Sequence, residues 1–177
     1  MNDEEILLKE NLIFKGSVLE VYNDDILTSN GFKTKREYIK HNGGVCCLAL
    51  HDNMIYFVKQ FRYAYKKDLL ELPAGKIERN EKIDDAIKRE LMEEVGLEPL
   101  KLEYISSIYP SPGYTNEIIH LYFSPITRIS KKEADFDEVL DVVKLSISEA
   151  YKLLDNGDIN DAKTLVLLLK LRKVLDK

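Results

Sequence analysis

Seven residues between positions 75 and 96 have types and spacings suited to chemistry on a charged substrate. Gly75, Glu81, Arg89, Glu90, Glu93, Glu94 and Gly96 follow the pattern G-x5-E-x7-R-E-U-x-E-E-x-G-U, with aliphatic Leu91 and Leu97 at U. Four carboxylates and one guanidinium in so short a stretch suggest a site for a hard divalent cation, because Mg²⁺ and Mn²⁺ prefer oxygen ligands. Ordinary residue usage would produce the pattern in a chain of this length with a chance on the order of 10⁻⁷.

These side chains need an element that points them one way. Residues 82–95 have helical periodicity. Ile83, Ile87, Leu91 and Val95 fall on one stripe, the expected buried face of an amphipathic helix. Glu94 falls between Ile83 and Ile87 inside that stripe, Glu90 at its edge and Glu93 just beyond. A carboxylate driven toward a core must find a partner or lose its charge. Arg89 can pair with Glu93 one turn on, which leaves Glu90 and Glu94 without a local cation and open to a metal. Gly96 is placed to stop the helix in the left-handed conformation.

The rest of the chain must supply the frame. Its 177 residues carry a net charge of −5 and 45% hydrophobic side chains. That suffices for one compact domain with a core, plus a small N-terminal extension. The acidic balance argues against nonspecific nucleic-acid binding. No apolar run reaches membrane-spanning length, and the acidic start MNDEEILLKE is unlike a signal peptide. Cys46 and Cys47 are adjacent in an expected strand and point to opposite faces. They read as buried thiols of a cytoplasmic protein.

Short strands are expected over residues 12–22, 24–29 and 34–41, with a turn at Gly31. Further strands are expected at 45–50, 54–61, 104–109, 118–123 and 142–146. Ser146 and Glu149 have capping-box spacing, so a helix should begin there and end near Gly157. Asn160 or Asp161 caps a last helix. This order predicts an α+β domain with α/β/α layering: a mixed sheet between helices, with a small antiparallel sheet at the N-terminus. The expected boundary separates a 1–42 strand region from a 43–177 domain.

The segment 75–97 resembles the Nudix box at every defined position. Three further strings are similar to those of the ADP-ribose pyrophosphatase group: Arg36-Glu37 leading to His41 and Gly43-Gly44-Val45, then Gln60-Phe61-Arg62, and Ser111-Pro112-Gly113-Tyr114-Thr115-Asn116-Glu117. Pro112 lies sixteen residues beyond Gly96. The likeness runs from about Arg36 to Asp161.

The resemblance implies hydrolysis of ADP-ribose to AMP and ribose 5-phosphate, with Mg²⁺ or Mn²⁺. It implies Glu90, Glu94 and the Ala74 carbonyl as metal ligands, and Glu93 as a partial ligand or orienter. Arg89 would hold Glu93 or Glu90, and Glu81 would orient the metal cluster or its waters. Arg36, Glu37, His41, Arg62, Lys76, Ser111, Pro112, Gly113 and Glu117 would meet the substrate. A general base is expected in the acidic loop before residue 142. Glu138 aligns best, as base or further ligand, ahead of Asp135, Asp137 and Glu133. A homodimer formed through the N-terminal strands is implied as well. The alternatives are a hydrolase for another nucleoside diphosphate sugar (GDP-mannose or ADP-glucose) and a sensor that binds ADP-ribose without cleaving it.

Overall fold

A computed structural model describes residues 4–130 and 140–175 of the chain. The chain divides into two compact units, Met1–Gly43 with Tyr109–Ile118, and Gly44–Ile108 with Ile119–Lys177.

The first unit is an antiparallel sheet of β1 (Ile6–Lys9), β2 (Leu12–Lys15), β3 (Glu20–Leu27) and β4 (Lys33–Lys40). β3 is central: β1 and β2 pair with successive parts of it, and β4 pairs along its whole length. Its alternation buries Tyr22, Asp24 and Ile26, as period-two geometry requires. The continuous strand expected over 12–22 is broken, because Gly16 N–H bonds back to Leu19 C=O at 2.9 Å and turns the chain. The stretch from Glu20 instead runs straight on into Asp24–Leu27, which merges two expected strands. The segment 109–118 joins this unit through Ile39, which donates to Tyr114 C=O (2.8 Å) and accepts from Asn116 N–H (3.2 Å).

The second unit is built on a seven-stranded mixed sheet. Its members are β5 (Gly44–His51), β6 (Met54–Arg62), β7 (Lys67–Glu71), β8 (Ala74–Lys76), β10 (Glu103–Ile108), β11 (Ile119–Ser124) and β13 (Asp141–Ser146). The main path is β10-β11-β5-β6-β13, with β7 on β6 and β8 on β5. β11 and β5 are parallel and the other pairs antiparallel. β5 and β6 meet in a two-residue turn, where Asp52 and Asn53 take φ of 50° and 59°. Asx residues tolerate that conformation. β9 (Leu97–Pro99) and β12 (Thr127–Ile129) form a separate antiparallel pair.

Alternation along β5 and β6 sorts side chains to two faces. Cys46, Leu48, Ile55 and Phe57 pack toward α2 (Ile147–Asn156) and α3 (Ala162–Leu175), meeting Tyr151, Leu154, Leu167 and Leu168. Val45, Cys47, Ala49, Tyr56 and Val58 pack toward α1 (Ile83–Val95), meeting Ala86, Ile87 and Leu91. The two thiols thus face opposite cores, both free. Helices cover both sides of the sheet, the layering expected from the element order. Each buried Leu or Ile contributes about 1.5–3 kcal/mol to this sandwich.

The helix ends are sealed locally. Ser146 and Glu149 form a reciprocal capping box on α2, and Gly96 and Gly157 close α1 and α2 in the left-handed conformation. Asp161 caps α3 by accepting from Thr164 N–H at 3.0 Å. Among the described residues no helix is long and apolar enough to cross a membrane.

Candidate active site

Helix α1 turns its acidic edge toward β8. Tyr122 of β11 donates to Asp84 Oδ1 (3.0 Å) and pins the first turn of the helix on the sheet. Asp84 and Asp85 complement the positive end of the helix dipole. Below them Ile87, Leu91 and Val95 are buried, Ile83 is partly buried, and Glu90 and Glu94 are buried with them at 8% and 4% exposure. The two glutamates are held inside the apolar face because the periodicity leaves them nowhere else to go.

Their carboxylates meet the backbone of β8. Ala74 N–H donates to Glu94 Oε2 at 2.9 Å. Glu90 lies against the α-carbon of Gly75, in space that a side chain at 75 would fill. Gly75 therefore serves close approach rather than a special backbone angle.

Arg89 ties the remaining acids together. Its Nε and Nη2 donate to Glu81 (2.9 and 3.1 Å), and its Nη1 donates to both Glu90 Oε1 (2.8 Å) and Glu93 Oε2 (2.9 Å). Nη2 also reaches Lys76 C=O at 3.0 Å. The expectation that Glu90 has no local cation is corrected: residues i and i+1 diverge on a helix, yet the long guanidinium folds back far enough to touch it. Glu81 in turn accepts from Glu78 N–H. The hydrogen bond from Arg89, assisted by its charge, holds the Glu81 carboxyl below its ordinary range, and the hydrogen bond to Glu81 leads in raising Arg89 above its own.

The donor set suits a hard divalent cation. Glu81, Glu90, Glu93 and Glu94 bring four formal negative charges against the single positive charge of Arg89, and their oxygens are the ligand type Mg²⁺ and Mn²⁺ take. Among the described residues no three His, Cys, Asp or Glu side chains form a ready coordination sphere. Arg89 and the Ala74 N–H already hold these carboxylates.

The other residues implied by the resemblance fall into two sets. In the second unit, Arg62 ends β6 and makes a bidentate pair with buried Glu71 (2.6 and 2.7 Å); Lys76 is exposed at the end of β8. In the first unit, Arg36 bonds Glu5 through Nε (2.9 Å) and Nη2, and exposed Glu37 pairs with Asn23 across the sheet. His41 N–H donates to Asn116 Oδ1 (2.8 Å), and His41 Nδ1 accepts from Gly43 N–H (3.1 Å) and lies 3.5 Å from Glu117 Oε1. Ser111 C=O accepts from Tyr114 and Thr115 N–H, closing the turn that carries Pro112 and exposed Gly113. His41 and Glu117 thus come together from distant parts of the sequence. Glu133, Asp135, Asp137 and Glu138 lie outside the described residues.

Some polar groups beside these sets carry no local signature. Glu71, Lys163, Asp161 and Thr164 form one network with Arg62, and Glu5 occupies Arg36. Only Asp161 is visible in the sequence, as a cap.

A model of the NUDIX domain matches residues 40–168. The chain is 38% identical over 165 residues to an ADP-ribose pyrophosphatase of Bacillus subtilis (strain 168), covering 92% of this chain and 89% of the relative. It is 38% identical over 168 residues to a methanol dehydrogenase activator of Bacillus methanolicus, covering 92% and 90%. A GDP-mannose pyrophosphatase of Yersinia enterocolitica is 32% identical over 163 residues, covering 85% of each chain. The fold matches a crystal structure of an ADP compounds hydrolase with a TM-score of 0.86 at 22% identity, covering 98% of this chain and 95% of that one.

Proposed function

Because the chain belongs to the Nudix domain family, we propose that this Nudix hydrolase cleaves the diphosphate of ADP-ribose, giving AMP and ribose 5-phosphate. One observation carries the reading: Glu90, Glu93 and Glu94 leave a single helical turn beside Arg89, with Glu90 and Glu94 set against Gly75 and Ala74. Family likeness to an ADP-ribose pyrophosphatase supports the substrate.

In this reading Glu90 and Glu94, with the Ala74 carbonyl, hold Mg²⁺ or Mn²⁺, and Glu93 is a partial ligand. The ion would polarise phosphoryl oxygens and make water a stronger nucleophile near neutral pH. Arg89 keeps Glu90 and Glu93 at fixed distance, and Glu81 braces Arg89. Glu138, with Asp137 and Asp135 behind it, accepts the proton of the attacking water.

Arg36, Glu37, His41, Lys76 and the Ser111-Pro112-Gly113 turn with Glu117 bind the nucleotide and sugar. Arg62 grips a phosphate. Its Nε and Nη2 are committed to Glu71, so a phosphate would meet Nη1, and Arg36 must exchange Glu5 for substrate.

The 1–42 strands serve as the homodimer surface and 43–177 as the catalytic domain. Apolar Ile6, Leu7, Ile13 and Phe14 are each more than half exposed on β1 and β2, and a second copy is the partner that would cover them. The free buried thiols suit a cytoplasmic setting.

A second reading, GDP-mannose as substrate, is favoured by the likeness to a GDP-mannose pyrophosphatase. A panel of ADP-ribose, ADP-glucose and GDP-mannose, with AMP, GMP and sugar phosphate as readouts, separates the two. ADP-ribose should give the highest kcat/KM; preference for GDP-mannose would replace the first reading with the second.

A further inference from the structure

Four consecutive residues, from the last of β7 to the first of β8, are each fastened by a hydrogen bond. Glu71 accepts from Arg62 Nε and Nη2 and from Lys163 Nζ. Leu72 N–H donates to Thr164 Oγ1 at 2.8 Å. Pro73 C=O accepts from Cys47 N–H at 3.0 Å. Ala74 N–H donates to Glu94 Oε2 at 2.9 Å. Two of these fasteners, Lys163 and Thr164, come from the first turn of α3, on the opposite face of the sheet from α1.

The hydroxyl of Thr164 has a defined direction. It donates to Asp161 Oδ2 at 2.6 Å, so its lone pairs are left to accept from Leu72. Asp161 Oδ1 in turn accepts from Lys163 Nζ at 2.8 Å, and the same ammonium reaches Glu71. Burial alone would lower the Lys163 ammonium; the charges of Asp161 and Glu71 outweigh it and hold Lys163 above its ordinary value. Glu71 and Thr164 are almost fully buried, at 1% and 0% exposure. In such surroundings a polar group whose partner is removed costs more than its hydrogen bond returned.

We propose that Thr164 and Lys163 are positioning residues for the acidic site: from α3 they clamp the Glu71–Ala74 segment and so fix the Ala74 N–H that aims Glu94. The inference rests on the metal role given to Glu94 above. Neither residue touches the site itself. The clamp acts across the sheet through four residues of backbone, one of which, Pro73, has no N–H and a restricted φ.

The test uses the full chain and Thr164→Val, which keeps the shape and removes the hydroxyl, with Thr164→Ser as the rescue. Lys163→Met, which keeps the aliphatic stem, is a second variant should Thr164→Val fold poorly. Amide hydrogen exchange on metal-free protein is read at Leu72 and Ala74 against core Phe57, which reports global opening. Mn²⁺ uptake is then followed by electron paramagnetic resonance.

In Thr164→Val, exchange at both Leu72 and Ala74 should quicken about tenfold relative to Phe57, and Mn²⁺ should bind about tenfold more weakly, the scale of losing the hydrogen bond that holds Leu72. Thr164→Ser should restore both to within about twofold. Ala74 exchange that changes only in step with Phe57, or Mn²⁺ affinity unaltered while Ala74 loosens, would overturn the positioning role. Wild-type protein that takes up no Mn²⁺ would overturn the functional reading beneath it, while the metal-free exchange still judges the clamp.

Discussion

The carboxylate of Glu90 lies so close to the α-carbon of Gly75 that a Cβ there would stand 1.8 Å from Oε1 and 1.9 Å from Cδ. The glutamate cannot simply swing aside, because Arg89 Nη1 holds it at 2.8 Å and the side chain is buried. Gly75→Ala should therefore displace a proposed ligand by about an ångström and lower kcat about 100-fold, as small misplacements in a site do. Circular dichroism should stay native, while the thermal midpoint falls by the cost of overpacking, about 1–3 kcal/mol. Wild-type kcat in this variant would remove Glu90 from the site.

The Glu71 pair gives a pH signature. Burial pushes its carboxyl up, but the Arg62 hydrogen bonds and the Lys163 charge outweigh burial and hold it below the ordinary 4.5. A depressed folded value stabilises the protein fully above that pH, and the contribution is lost as pH falls through the folded value. Glu71→Gln should cost about 3 kcal/mol near pH 7 by removing the buried carboxylate that Arg62 and Lys163 share. The gap from wild type should shrink as pH falls below 4.5. Urea midpoints of both proteins at neutral and strongly acidic pH measure this, and a gap that stays constant would contradict it.

Exposed Ile13 and Phe14 sit on β2, a four-residue strand with both faces open. Light scattering at micromolar concentration should give a dimer for wild type. Ile13→Glu should shift it toward monomer, because a charge would have to be buried in the contact. A monomeric wild type would remove the second copy from the account.

Glu138→Gln should lower kcat about 10²–10³-fold, the scale of a lost general base, with ADP-ribose affinity kept. It should also flatten the acid limb of the pH–rate profile. An unchanged profile would move the base to Asp137 or Asp135.

The helix and its acids were legible because one element writes its own period: Ile83, Ile87, Leu91 and Val95 place Glu94 inside and Glu90 at the edge without reference to the rest of the chain. The capping box at Ser146 and Glu149 was equally local. Three-residue β8, β9 and β12 were not, since a strand that short has no pattern and exists through its partner. β1 and β2 carry apolar side chains on both faces, so alternation could not find β1 or break β2 from β3. The bonds from Lys163 to Glu71 and from Thr164 to Leu72 each span 92 residues, a separation at which only the folded sheet brings groups together. Arg89 reaching Glu90 was missed for a different reason, the flexibility of a long side chain.

The central claim is that the carboxylates of α1 gather a divalent ion where a dinucleotide-like diphosphate is split. The most direct measurement is AMP release from ADP-ribose by metal-stripped protein titrated with Mg²⁺, run beside Glu94→Gln. Wild type should be silent without the ion and saturate with it, while Glu94→Gln stays at least about 100-fold slower at any Mg²⁺ concentration. AMP release that ignores added Mg²⁺, or a Glu94→Gln protein that matches wild type, would contradict the account.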